Sequence, residues 1–126
     1  MRVLVVDDSS TMRRILINCL AKIKVTDVAQ AGDGTEALTV LAAQGPFDLM
    51  LTDWNMPQMT GIDLLKAVKA DPKLTAMPVV IVTTEAEKER IVEAIKCGAA
   101  NYIVKPFTPE TLYEKIKSLV TLPAPA

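Results

Sequence analysis

Apolar residues along this chain alternate between two rhythms, short unbroken runs and stripes at helical spacing, and the alternation repeats five times. Arg2–Val6 opens the chain with a continuous apolar run, the pattern of a parallel strand covered on both faces. Ser9 or Ser10 is placed to cap the helix that follows, whose apolar positions Met12, Ile15, Leu16, Cys19, Leu20 and Ile23 fall on one stripe. A weaker strand over Asp27–Ala31 leads to Asp33, Gly34, Thr35 and Glu36, a helix start with an acidic residue three after the cap. That helix is expected to bury Ala37, Leu38, Leu41 and Ala42 and to stop before Gly45 and Pro46.

The unit then recurs. Residues 49–52 read as a strand, and 62–70 as a helix halted near Asp71 and Pro72. Residues 79–82 form the most apolar strand, followed by a helix over about 87–97 that carries Ile91, Val92 and Ile95 and closes at Gly98. Residues 102–104 read as the fifth strand. Thr108 caps the last helix, with Pro109 at its first position and a stripe of Leu112, Ile116, Leu119 and Val120. Five strands alternating with five helices predict an α/β fold: one five-stranded parallel sheet with helices on both faces, in a single domain. The domain is expected to span residues 1–121, and residues 122–126, rich in proline and alanine, to form a flexible tail.

Composition narrows the function. The 126 residues are 50% hydrophobic and 23% charged, enough apolar matter for a packed core. A net charge of −1 and the lack of any Lys/Arg run offer no electrostatic reason to bind nucleic acid. No stretch of about 20 apolar residues is present to insert into a membrane, and the apolar run at the N-terminus is too short for a signal-peptide core. The expected compartment is therefore the cytoplasm, where Cys19 and Cys97, both on helix stripes, stay reduced as small core residues. The chain has no histidine, which excludes an internal histidine base, ligand or phosphohistidine. No exposed apolar run demands a dimer, so a monomer is expected.

In an open parallel sheet, ligands bind beyond the carboxyl ends of the strands. The first predicted strand ends at Asp7 and Asp8, the third at Asp53, the fourth at Thr83 and Thr84, the fifth at Lys105. Each residue alone has an ordinary reading: an aspartate after a strand is usually a helix cap or a turn former, and a lysine a solvated surface group. Their convergence on one edge is harder to explain that way. Two carboxylates about 4 Å apart repel by roughly 4 kcal/mol at an effective dielectric near 20. Such a cluster calls for a cation, and without Cys or His ligands Mg²⁺ is the natural choice. Mg²⁺ beside a carboxylate and a lysine suits phosphoryl chemistry, in which one carboxylate can itself be the nucleophile. The first turn lacks a glycine-rich phosphate loop, which disfavours a nucleotide donor. A small phosphoramidate or a phosphohistidine on another protein fits better.

The strings VLVVDDSSTMRR, LTDWNMPQMTG, VVIVTTEA and NYIVKPFT, in this order and spacing, resemble response-regulator receiver domains along almost the whole chain. The resemblance is strongest to the single-domain chemotaxis members of that family. It implies a flavodoxin-like strand order 2-1-3-4-5 and a phosphoryl acceptor at Asp53. It implies Mg²⁺ held by Asp8, Asp53 and the backbone carbonyl of Asn55, with Asp7 assisting through water. Lys105 would pair with a phosphoryl oxygen, its bond to Pro106 cis, while Thr83 hydrogen-bonds the phosphoryl group and Tyr102 swings inward behind it. The readout face would comprise the fourth helix, fifth strand and fifth helix, including Lys88, Tyr102 and Lys115. Trp54 is expected to pack beside the acceptor, partly cover it and report metal and phosphate by fluorescence.

Asn55 and Glu85 would flank the path of a hydrolytic water, implying a short-lived phosphoryl group that an auxiliary phosphatase removes. Thr84 stands where alanine is usual in the chemotaxis members, and its larger side chain is expected to narrow access to Asp53. The implied partners are a histidine kinase as donor and a downstream target protein, a flagellar motor switch in the chemotaxis case. The chain is then a signalling protein, with only Mg²⁺-dependent self-phosphorylation and slow autodephosphorylation as chemistry. Two other readings remain at this point: a receiver module of a larger regulator or hybrid kinase, and a Mg²⁺-dependent phosphatase of small molecules. The last lacks a cap domain and a group to protonate a leaving alcohol.

Overall fold

A computed structural model describes residues 1–54, 56, 59–83 and 88–119. Five strands, β1 (Arg2–Val6), β2 (Asp27–Ala31), β3 (Leu49–Asp53), β4 (Val79–Thr83) and β5 (Asn101–Val104), form one parallel sheet in the order β2-β1-β3-β4-β5. Between and after them run α1 (Ser10–Lys22), α2 (Gly34–Gln44), α3 (Gly61–Ala70), α4 (Lys88–Lys96) and α5 (Pro109–Ile116). The expected fold class and strand order are both observed.

Alternation along the strands splits the apolar residues between two cores. Val3, Val5, Leu51 and Val82 pack with Leu16 and Leu20 of α1 and with Leu112 and Ile116 of α5. Leu4, Val6, Met50 and Ile81 pack on the opposite face with Leu41 of α2, Leu65 and Val68 of α3 and Ala94 of α4. The side-chain period of two in a strand makes this division unavoidable once both faces are covered. Each fully buried leucine or isoleucine contributes roughly 1.5–3 kcal/mol.

Four helices begin with a side chain capping the amide three residues on: Ser9 for α1, Asp33 for α2, Thr60 for α3 and Thr108 for α5. In a parallel sheet these starts follow the carboxyl ends of the strands, so they surround the edge where the polar residues gather. The cap of α1 is therefore Ser9, not Ser10.

Some residues expected in the core lie outside it. Ile15 is 41% exposed and Ala42 is exposed, because α1 and α2 meet the sheet through narrower strips than their apolar stripes. On α4, Ala94 is buried and Ile91 half-buried, while the larger Val92 and Ile95 are 49% and 47% exposed. Cys19 is buried and Cys97 half-buried, and neither forms a disulfide. The expected start of α4 at Glu87, the stripe residue Val120 and the tail at 122–126 lie outside the described residues. No helix among the described residues is long and apolar enough to cross a membrane.

Candidate functional site

Register brings the polar strand ends together. Val6 pairs with Thr52, so Asp7 and Asp53 stand abreast, while Asp53 pairs with Val82 and Thr83 with Val104, immediately before Lys105. Asp7 is 1% exposed, Asp53 8% and Thr83 5%. Asp8 is exposed. One carboxylate oxygen from each of Asp7, Asp8 and Asp53 lies within 4.8 Å of the others.

A single ammonium serves this cluster among the described residues. Lys105 Nζ donates to Asp7 Oδ2 at 3.2 Å and lies 3.5 Å from Asp53 Oδ1. Asp7 Oδ1 accepts from the Ser9 amide at 2.9 Å, and Asp53 Oδ1 accepts from the Trp54 amide at 2.8 Å. Burial pushes the Asp53 carboxyl above the ordinary carboxylate range; Lys105 pulls it down, Asp7 pushes it up, and the Trp54 amide pulls it down again. Each carboxylate pair at this spacing repels by about 3 kcal/mol at an effective dielectric near 20, and one lysine cannot offset all of it. An all-oxygen donor set with excess negative charge fits a hard divalent cation such as Mg²⁺. The residues that could hold it are Asp7, Asp8 and Asp53.

Trp54, next to Asp53, is held from α3. The Gly61 amide donates to the Trp54 carbonyl at 2.9 Å. A Cβ at Gly61 would sit 2.2 Å from the Asp53 carbonyl oxygen, so only glycine lets α3 approach this closely. Trp54 is buried within the core on the α2–α4 face, and the Arg90 guanidinium of α4 lies 5.4 Å from its ring centroid.

Tyr102 is half-buried, and with Trp54, Thr83, Arg90 and Ala94 it lines a small cavity between the sheet and α4. Lys115 Nζ sits 4.3 Å from the Tyr102 ring centroid. Asn101 braces the pair: its side-chain amide donates to the Lys115 carbonyl at 3.0 Å, and its oxygen accepts from the Tyr102 amide. The Lys105–Pro106 peptide is cis, as the resemblance implies; Gly45–Pro46 is cis as well, which was not foreseen.

Asp7, Asp8, Asp53, Thr83 and Lys105 thus meet at one edge, with Trp54 and Tyr102 beside them. Asn55, Thr84 and Glu85 lie outside the described residues, as does the side chain of Lys88, whose backbone begins α4. Three residues were given no role from sequence: Arg13, Gly61 and Arg90. Gly61 had a signal, a glycine shortly after the acceptor at a helix start. Arg13 and Arg90 had none, since their contacts depend on how α1 and α4 are turned.

Residues 3–117 match the family described as response regulator receiver domain. The chain is 53% identical over 119 residues to the chemotaxis protein CheY of Pseudomonas aeruginosa, covering 94% of this chain and 95% of that one. This chain belongs to the response-regulator receiver family. The receiver is also 49% identical over 117 residues to chemotaxis protein CheY1 of Helicobacter pylori, covering 93% and 94% of the two chains. The high-resolution structure of chemotaxis response regulator CheY4 of Vibrio cholerae superimposes with a TM-score of 0.84 at 37% identity, covering 94% of this chain and 98% of that one. Receiver domains are signalling proteins that bind Mg²⁺ at an acidic pocket, and this receiver gathers Asp7, Asp8 and Asp53 into an acidic cluster.

Proposed function

We propose that this receiver takes a phosphoryl group onto Asp53 from a phosphohistidine of a histidine kinase and passes the signal to a downstream protein. The observation that carries this reading is the placement of Asp53, nearly buried between two further aspartates and the Lys105 ammonium. An Asp53 carboxylate oxygen forms the new O–P bond as the P–N bond of the donor breaks, and the electron pair returns to the imidazole nitrogen. Mg²⁺, held by Asp8, Asp53 and the Asn55 carbonyl with Asp7 assisting, would offset the charge gathering on the phosphoryl oxygens. Lys105 would swing its ammonium from Asp53 onto a phosphoryl oxygen, and Thr83 would donate its hydroxyl to another.

The acyl phosphate adds charge and acceptor oxygens at one edge, favouring a conformation with Thr83 drawn toward it. Tyr102, which shares a cavity with Thr83, would follow inward and alter the surface of α4, β5 and α5 near Lys88 and Lys115. The similarity to chemotaxis proteins supports a flagellar motor switch as the target. Asn55 and Glu85 would flank a hydrolytic water, Thr84 would narrow its access, and an auxiliary phosphatase would shorten the signal.

Intact mass after incubation with Mg²⁺ and acetyl phosphate tests the acceptor. The expected result is one Mg²⁺-dependent phosphoryl adduct in wild type and none in Asp53→Asn. An adduct retained in the variant would move the acceptor elsewhere. Tyr102→Ala is expected to be phosphorylated normally yet to lose most of its phosphorylation-dependent binding to a motor-switch peptide; full retention would remove Tyr102 from the output.

A further inference from the structure

Asp7 and Asp8 serve the same pocket but are held in opposite ways. Every polar atom of Asp7 has a partner: its amide donates to the Ala31 carbonyl at 3.1 Å, its carboxylate accepts from Ser9 and Lys105, and its carbonyl accepts from Arg13 Nη1 at 2.5 Å. Asp8 is exposed, and no hydrogen bond or ion pair to its carboxylate is found among the described residues. Yet its carboxylate lies with those of Asp7 and Asp53. Something other than its own side chain must aim it.

The Asp7 carbonyl belongs to the planar peptide joining Asp7 to Asp8, so gripping that oxygen fixes the plane from which the Asp8 side chain departs. Arg13, one turn into α1, is itself aimed from the far side: its Nε donates to Gln30 Oε1 on β2 at 3.1 Å. The guanidinium fork thus joins the loop after β1 to the edge strand, and a planar, delocalised cation with fixed donors suits that geometry better than an ammonium.

We propose that Arg13 is a positioning residue for the cation site, orienting Asp8 through the Asp7–Asp8 peptide, with Gln30 holding Arg13 in place. This rests on the reading of the acidic pocket as a Mg²⁺ site. Arg13 touches neither the ion nor the phosphoryl group; its effect is on where a ligand oxygen stands, as for outer partners of metal ligands in general.

The sign of a single measurement separates this role from plain electrostatics. Removing a positive charge near a cation site should by itself tighten cation binding, whereas loss of ligand aim should weaken it. Isothermal titration of metal-free protein with MgCl₂ at fixed ionic strength would be run on wild type, Arg13→Ala, Arg13→Lys and Gln30→Ala, with the thermal midpoint of each metal-free protein. Arg13→Ala is expected to weaken Mg²⁺ binding about tenfold, the low end for outer-shell losses. Arg13→Lys should recover part of that loss, and Gln30→Ala, which changes no charge, should weaken binding to a smaller degree.

If wild type binds Mg²⁺ and Arg13→Ala binds equally or more tightly, the inference is overturned while the site reading stands. A lowered thermal midpoint with unchanged affinity would likewise overturn it, leaving Arg13 a structural brace. Should Arg13→Ala fail to fold, unchanged affinity in both Arg13→Lys and Gln30→Ala overturns it. Absence of Mg²⁺ binding to wild type would overturn the site reading and this inference together.

Discussion

The two ends of the sheet each gather charged residues around one cation, and only one of them is suited to binding. At the amino end, Arg2 stacks on Phe47 with its guanidinium carbon 4.5 Å from the ring centroid and donates to the Gln44 carbonyl. It lies 3.6 Å from Asp27, while its own amide donates to Asp48 at 2.7 Å. Each carboxylate there has a donor, and the Arg2–Asp27 pair is 35% and 66% exposed, so water screens what remains. At the carboxyl end, Lys105 and Asp7 are 11% and 1% exposed, and among the described residues that one lysine serves Asp7 and Asp53 while Asp8 has no ion pair. A compensated set of charges braces a fold. An uncompensated set in a poorly solvated corner is one that a cation would relieve.

Removing the two cations should sharpen the contrast most. Lys105→Met leaves Asp7 and Asp53 buried without their ammonium and is expected to destabilise the metal-free protein by about 3 kcal/mol. Arg2→Met, at the screened end, should cost about 1 kcal/mol or less. Urea unfolding in EDTA measures both, and equal losses would erase the distinction between the ends. Gly61→Ala should follow at about 2 kcal/mol, because its Cβ cannot avoid the Asp53 carbonyl without moving backbone. Its phosphorylation rate should fall with it.

Smaller effects have the opposite sign. Mg²⁺ at ten times its dissociation constant should add about 1.4 kcal/mol to wild type and far less to Asp53→Asn. Without metal, Asp53 is itself a liability. Burial first, and then Asp7, raise its native carboxyl above the unfolded value, so the native state holds the proton more tightly. The associated stability is fully present below the unfolded value of about 3.9 and is lost as pH rises through the raised native value. Asp53→Asn, which does not titrate, should therefore become more stable than wild type over that rise when both are compared in EDTA. A stability difference independent of pH would mean that Asp53 is not desolvated.

Most of the fold is legible in the chain because it depends on local periodicity. Strands buried on both faces read as unbroken apolar runs, and caps such as Asp33 and Thr108 mark helix starts regardless of what surrounds them. The polar edge is legible for a related reason: residues that end parallel strands must share one side of the sheet, so Asp7, Asp53, Thr83 and Lys105 could be gathered without coordinates. Ile15, Val92 and Ile95 were less legible, since a stripe gives the apolar side of a helix but not how much of it the sheet covers. Arg13 and Gly61 act through contacts with backbone carbonyls on other elements, Asp7 for one and Asp53 for the other. Such contacts have no periodic signature.

Under the proposed role of Tyr102, the lysine resting on its ring would bear on how readily the protein signals. A cation over an aromatic face is worth about 0.5–2 kcal/mol, which would shift the ratio of the proposed outward and inward ring positions between roughly two- and thirtyfold. Lys115 would thereby act as a gain control. Changing it would then alter how much output the protein gives at rest and per phosphoryl group, without touching the acceptor, and would separate the tuning of sensitivity from the upkeep of chemistry.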